Sequence, residues 1–320
     1  MQRHTVRATG RLLPALSFLL VGCASIPPSV RELPDDAVTV ELTTTPFFPQ
    51  ERYQCGPAAL TTTLVASGAG VSLDDIVHKV YLPGRKGSLQ VDMLGATRTS
   101  GRIPYVIDGT MQALYSELAA GRPVVVLQNL GVAAIPRWHY AVAIGIDRGS
   151  GDVILRSGTD RRRITAVDVF LRTWRRSDYW GFVVLHPGDL PAGVDRLRYF
   201  EAVSAVEQAG QYEAAAAAWR AGLDEWPGDG TAMFGLANAT YAQGRYADAE
   251  SAYRQLLALH PGAVAARNNL ALVLADQGRF REALQEVDVA LLAAADADLE
   301  SELRDTRRTI RQRQAEQSQP

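Results

Sequence analysis

Apolar positions along the chain fall into three regimes. Leu12 to Val21 is a continuous apolar run preceded by Arg3, Arg7 and Arg11, with no acid among them. It is too short to cross a bilayer, which takes roughly 20 residues, and its basic flank predicts a secretory signal rather than an element of the fold. From Val38 to about Pro191, short apolar runs (Pro123 to Leu127, Tyr140 to Ile146, Val153 to Leu155, Gly181 to Leu185) are interleaved with a few helical stretches. This pattern predicts an α+β domain. From Arg196 onward, alanine-rich helical periodicity takes over, and Gly210-Gln211-Tyr212, Gly244-Arg245-Tyr246 and Gly278-Arg279-Phe280 start at 210, 244 and 278, a spacing of 34 residues. Ala215, Ala249 and Ala283 keep that register, as do Pro227 and Pro261, while Trp219 and Tyr253 repeat a large aromatic at one site. An internal repeat of this length predicts stacked helical units.

The first apolar run ends in Leu20-Val21-Gly22-Cys23, which resembles the cleavage box of bacterial lipoproteins. The resemblance implies removal of residues 1–22 and lipidation of Cys23. As Ala24-Ser25 contains no Asp, it also implies an outer-membrane anchor in the cell envelope, facing the periplasm. Acyl chains contribute about 0.8 kcal/mol per buried CH₂, enough for several of them to hold a protein without a transmembrane helix. Residues 23–37, with Pro27, Pro28 and Pro34, read as an extended tether to a domain over 38–191.

The C-terminal repeat resembles the tetratricopeptide repeat, an all-α solenoid, here over 196–314 with units at about 196–229, 230–263 and 264–297. The third unit departs from the pattern, with Val287 at the aromatic site and Ala295 at the proline site. Leu299 to Ile310 is expected to form a capping helix, and 315–320 a polar tail. In that family the concave surface holds a peptide or partner protein. Asn238, Asn268 and Asn269, on first helices, are the residues expected to clamp a partner's backbone.

Composition narrows the chemistry. With 47% hydrophobic and 21% charged residues the chain is globular, and 33 Lys and Arg against 35 Asp and Glu give a net charge of -2, so no basic excess points to nucleic acid. Cys23 and Cys55 cannot build a disulfide framework. One remaining thiol and scattered histidines do not form a zinc set either, and no cofactor is expected. Leu82 to Ser88 has Gly84, Lys86 and Gly87 but lacks the spacing of a phosphate-binding loop, so it reads as a mobile loop near a cleft.

The thiol that remains is well placed. Gln54-Cys55-Gly56-Pro57-Ala58 precedes a helical run, and at a helix entry unpaired N–H groups and the macrodipole favour a thiolate, which predicts a lowered pKa. Pro57 suits the first helical turn. Of the five histidines, His4 falls in the signal, His260 in a repeat and His78 on a surface-helix pattern, leaving His139 and His186. His139, in Trp138-His139-Tyr140, opens a strongly apolar strand whose mouth could face the helix entry across a cleft.

The Gln…Cys-Gly-Pro-Ala opening, Gly121 to Gln128 and the Trp-His-Tyr strand together resemble the C39-like cysteine peptidases, over about Val38 to Pro191. The resemblance implies a papain-like fold, with Cys55 as nucleophile, His139 as general base and then acid, and a glutamine in the oxyanion hole. The family glutamine lies about six residues before the cysteine. Gln50 is preferred to Gln54, since a side chain adjacent to the cysteine points away from its cleft. The residue that orients the imidazole is open: Ser157 stands where the family acid belongs, while Asp160 is the better acceptor by chemistry. Arg161, Arg162, Arg163, Arg172, Arg175 and Arg176 read as a solvated face balanced by Asp168 and Asp178. The expected function is a membrane-anchored peptidase acting through a thioester, with a protein partner on the repeats. A non-catalytic adaptor with the peptidase fold, and an acyl transferase using the same dyad, are the alternatives.

Overall fold

The computed structural model describes residues 31–50 and 53–317. The signal segment, Cys23 and most of the expected tether lie outside the described residues. Among the described residues no helix is long and apolar enough to cross a membrane.

The N-terminal domain is built on a seven-stranded antiparallel sheet in the order β2-β7-β3-β4-β5-β6, with β1 added to the end of β4. The strands are β1 (Val40–Glu41), β2 (Ile103–Val106), β3 (Val124–Asn129), β4 (Trp138–Ile146), β5 (Val153–Ser157), β6 (Asp160–Thr165) and β7 (Gly181–Leu185). The apolar runs are continuous rather than alternating because both faces of the sheet are covered. Val125, Leu127, Val142 and Phe182 pack on one side under α1 (Cys55–Ala66), α2 (Leu73–Val80) and α3 (Gln90–Thr99). Val124, Val126, Ala141 and Val183 pack on the other under α4 (Met111–Ala119) and α5 (Val167–Arg175). β6, the Asp160-Arg-Arg-Arg-Ile-Thr strand, has no apolar run to announce it. It is an exposed edge strand, where charge discourages pairing with other chains.

A helical solenoid follows: α6 (Arg196–Gln208), α7 (Tyr212–Glu225), α8 (Gly230–Ala242), α9 (Tyr246–Leu259), α10 (Val264–Asp276), α11 (Phe280–Leu292) and α12 (Ala297–Gln317). The repeat read from the sequence has a backbone cause. Gly210, Gly244 and Gly278 end successive first helices at φ 77°, 72° and 75°, the left-handed region where a Cβ is costly. Ala215, Ala249 and Ala283 are fully buried at the crossings, and Trp219, Tyr253 and Val287 fill the equivalent core site. α12 runs to Gln317, into the segment expected to be a tail. Arg313 on this helix reaches back to Asp276 of α10 at 2.6 Å.

The two parts share one core. α6 lies against β2, and Tyr199, Phe200, Val203 and Trp219 of the solenoid belong to the same apolar cluster as Ile103, Tyr105 and Val183 of the sheet. Polar contacts fix the joint. The Tyr105 hydroxyl donates to Gly193 O at 3.3 Å and accepts from Asp195 N at 3.0 Å, and Arg198 meets Asp108 at 2.8 Å. Buried Glu117 binds Arg122 at 2.6 Å and accepts from the backbone N–H of Ala192 at 2.8 Å, tying the connecting segment down.

Candidate active site

Cys55 is the first residue of α1. No side chain caps this helix end and no acid lies in its first turn, so the positive end of the helix faces the thiol undiluted. Gly56 is required by a close approach: a Cβ there would lie 2.4 Å from Ser88 Oγ. Its absence lets the 82–90 segment lie directly over the head of α1. That segment is an ordered turn, closed by Leu82 N–H donating to Gly87 O at 2.8 Å, and it forms one wall of a cleft.

The cleft has a volume of about 910 Å³ and brings together Cys55, His139 and Gln50. Its far wall comes from the β3–β4 connection and the end of α5. Asn129 Oδ1 accepts from the N–H groups of Gly131 and Arg137, both at 2.9 Å, and Arg176 Nη1 donates to the carbonyls of Asn129 at 3.1 Å and Gly131 at 2.8 Å. His139 opens β4, partly buried, and its Nε2 lies 2.8 Å from Ser157 Oγ at the end of β5. Gln50 is held by its backbone N–H, which donates to Gly158 O at 3.3 Å, so the glutamine and the imidazole's partner depend on the same β5–β6 turn. Arg156 steadies the chain ahead of Gln50 by donating to Thr43 O at 3.1 Å and Thr45 O at 2.9 Å.

Of the two candidate orienters, Ser157 is the one whose side chain meets the imidazole. Asp160, favoured by chemistry, pairs with Ser157 across the hairpin, but its side chain is 57% exposed and turns to Arg163 at 3.8 Å. The tight β5–β6 turn sends it outward to solvent while Ser157 stays buried. The thiol also departs from expectation. Burial pushes the Cys55 pKa up from the ordinary thiol value, and the backbone N–H groups of Tyr140, Gly56 and Cys55 oppose this without offsetting it. Burial, aided by the charge of Arg163, pulls His139 down to about 4. Burial thus works against charge on both the thiol and the imidazole.

Several other sequence expectations take new positions. Asn268 is only 5% exposed and cannot reach a partner. Asn238 Oδ1 accepts from the Tyr253 hydroxyl and from Asn269 Nδ2, the latter at 2.9 Å, so this pair braces neighbouring repeats. An asparagine read from a helical pattern does not reveal such a bond, because its partner lies in the next repeat. His186 is exposed just after β7, and His78 binds the carbonyl of Asp74 at 2.7 Å. Of the arginine cluster, Arg162 is bidentate to Glu41 at 2.7 and 2.9 Å, whereas Arg176 lines the cleft. Asp168, expected to balance that cluster, pairs instead with Arg31. Among the described residues no group of three or more His, Cys, Asp or Glu side chains could hold a metal.

Comparison with known proteins agrees with this division. The model of the Peptidase_C39 like family matches residues 42–179, and that of the Tetratricopeptide repeat matches 200–254 and 236–299. Among solved structures, a Bacillus anthracis protein assigned as a C39-like peptidase is 16% identical, with 47% of this chain and 98% of that one covered and a TM-score of 0.39. The Yersinia enterocolitica type III secretion translocator chaperone SycD is 19% identical, with 37% of this chain and 85% of that one covered and a TM-score of 0.35. SycD in complex with a peptide of the translocator YopD is also 19% identical, with 36% and 92% covered and a TM-score of 0.34. A search of curated proteins finds no match. The chain thus carries a region of the Peptidase_C39 like family over 42–179 and tetratricopeptide repeats over 200–299.

Proposed function

We propose that this protein is a cysteine peptidase of the bacterial cell envelope, lipid-anchored through Cys23, with a solenoid that holds a protein partner or substrate beside the cleft. The observation that carries the reading is the meeting of Cys55, at the uncapped head of α1, with His139 and Gln50 in one cleft. The contact of His139 Nε2 with Ser157 Oγ occupies that nitrogen and leaves Nδ1 for the thiol, and the reading takes the tautomer in which Nε2 is protonated. With Nε2–H donating to Ser157 Oγ, Nδ1 carries the lone pair and is the atom that accepts the thiol proton.

The steps follow from this tautomer. As Sγ attacks the peptide carbonyl carbon, its proton passes to Nδ1 and a C–S bond forms. The carbonyl oxygen, now an oxyanion, is held by the Cys55 backbone N–H and the Gln50 amide. The intermediate collapses by breaking the C–N bond, and the imidazolium gives its proton to the leaving amine. Water then attacks the thioester, losing a proton to Nδ1, and as the C–S bond breaks Sγ takes that proton back and the acid product leaves. In this reading thiol and imidazole both start neutral, so proton transfer accompanies attack instead of preceding it. A serine hydroxyl stabilises the transient imidazolium less than a carboxylate would.

The test is incubation of the full chain with a proteome-derived peptide mixture, reading new N-termini by mass spectrometry in wild type and Cys55→Ala. Cleavage present in wild type and lost in Cys55→Ala is expected. Identical peptide pools would refute the reading in favour of a non-catalytic adaptor. Anchoring is tested separately by fractionation: Cys23→Ala is expected to leave the membrane, and its retention and processing at wild-type level would refute the lipid anchor.

A further inference from the structure

We propose that the cleft selects peptides with acidic side chains on either side of the bond to be cut, an inference that rests on the peptidase reading and gives it a substrate class. The observation is an excess of positive charge among the described residues that line the cleft. Arg85 and Lys86 line one wall, Arg137 and Arg176 the other, and the single carboxylate among the lining residues is Asp178. Among the described residues, no carboxylate lies within ion-pair distance of any of these four cations. Several arginines of the solenoid are paired by contrast: Arg267 meets Glu286 at 2.7 Å, Arg279 meets Glu250 at 2.7 Å and Glu282 at 2.5 Å, and Arg313 meets Asp276 at 2.6 Å. The chain as a whole carries a charge of -2, so the positive cleft is a local arrangement and not a reflection of composition.

Contacts hold two of the cations, Lys86 and Arg176, in place. Arg85 and Lys86 sit on the turn closed by Leu82 and Gly87, pressed against the head of α1 where Gly56 has no Cβ. Lys86 Nζ lies 5.7 Å from the centre of the Tyr53 ring, a cation–π contact that holds the ammonium at the cleft mouth. Arg176 uses Nη1 on two backbone carbonyls, which anchors its guanidinium while leaving other N–H donors for a ligand. Trp138, 54% exposed beside His139, supplies an apolar surface between the charged walls. A concave site lined by one sign of charge raises the local concentration of oppositely charged ligand and rejects like charge. These cations flank the nucleophile across a cleft instead of covering an outer face, which favours a peptide over an anionic membrane as the occupant.

The test uses binding, so that it stands apart from turnover. Fluorescein-labelled peptides sharing one apolar, glycine-containing centre and carrying Glu, Gln or Lys on both flanks are titrated against the full-chain Cys55→Ala variant by fluorescence polarisation. The Glu peptide is expected to bind about tenfold more tightly than the Gln peptide, with the Lys peptide weakest and the difference shrinking as salt is raised. Arg85→Gln with Lys86→Gln, and separately Arg137→Gln, are each expected to cut the preference for Glu several-fold. Equal binding of the three peptides, no binding of any, or a preference that survives these substitutions would overturn the proposal. So would binding to phosphatidylglycerol vesicles, but to none of the peptides, that depends on the same cations. Turnover of the Glu peptide by wild type is read in parallel: selective binding without cleavage strikes the peptidase reading and leaves acid selectivity standing.

Discussion

Ser157 offers the sharpest perturbation, since one hydroxyl 2.8 Å from His139 Nε2 stands where a carboxylate would make a stronger dyad. Ser157→Ala removes one hydrogen bond to a partly buried ring, worth about 1 kcal/mol, so kcat/KM should fall roughly fivefold if the bond orients the imidazole. Ser157→Asp acts in the opposite direction on the ring. A carboxylate within hydrogen-bond reach raises a histidine pKa by about 1–3 units. His139, held at about 4 in the native protein, would then titrate at roughly 5–7. A more basic imidazole draws the Cys55 proton more readily, so alkylation of Cys55 by iodoacetamide at neutral pH should quicken in Ser157→Asp. The readouts are the His139 resonance in a pH titration by histidine-labelled NMR and the alkylation rate. Asp160→Asn, with its exposed side chain, should leave both unchanged. An unmoved His139 titration in Ser157→Asp, or a fall in turnover for Asp160→Asn in place of Ser157→Ala, would refute this account of the orienter.

Three further expectations follow from the same structure. His139 has a folded pKa below its unfolded value, so its contribution to stability is complete above about pH 6.5 and is lost as the pH falls through about 4. It amounts to the order of 3 kcal/mol, and urea melts of wild type against His139→Gln should converge across that window. Gly235→Ala would put a Cβ 2.2 Å from the Trp219 ring, so overpacking of about 1–3 kcal/mol should lower the Tm; an unchanged Tm would contradict the packing. Phe200, buried against Trp219 and Trp226 in the core shared by both parts, should cost about 3–5 kcal/mol when changed to Ala. Calorimetry should show the sheet and the first repeats melting together earlier, and an independent, unshifted transition of the peptidase domain would argue against a shared core.

What the sequence disclosed, and what it withheld, divides along physical lines. Strands β3, β4, β5 and β7 were legible because both faces of the sheet are buried, so each appears as an apolar run. The repeats were legible because Gly210, Gly244 and Gly278 must each adopt a left-handed turn and Ala215, Ala249 and Ala283 must each let helices cross closely. β6 was not, since an edge strand facing water needs no apolar residues. The proximity of Cys55 and His139 could be anticipated from a helix entry and a strand mouth, but their protonation could not. Helix position favours a thiolate, and only the folded structure reveals that burial outweighs it. The same holds for Ser157 and Asp160, whose roles turn on which way a tight hairpin directs each side chain. Asn238 and Asn269 illustrate a third limit: the hydrogen bond between them joins neighbouring repeats, and a helical pattern read along one chain segment does not reveal it.

The central claim is that Cys55 forms the covalent intermediate. The most direct measurement is acid-quenched turnover of a cleaved peptide by the full chain in ¹⁸O water, followed by mass spectrometry of the proteolytic fragment carrying Cys55 and of the released product. The expected result is a thioester on Cys55 bearing the N-terminal half of the substrate, and one ¹⁸O in the product carboxylate. Turnover that persists in Cys55→Ala, or that proceeds with Cys55 never acylated, would contradict it.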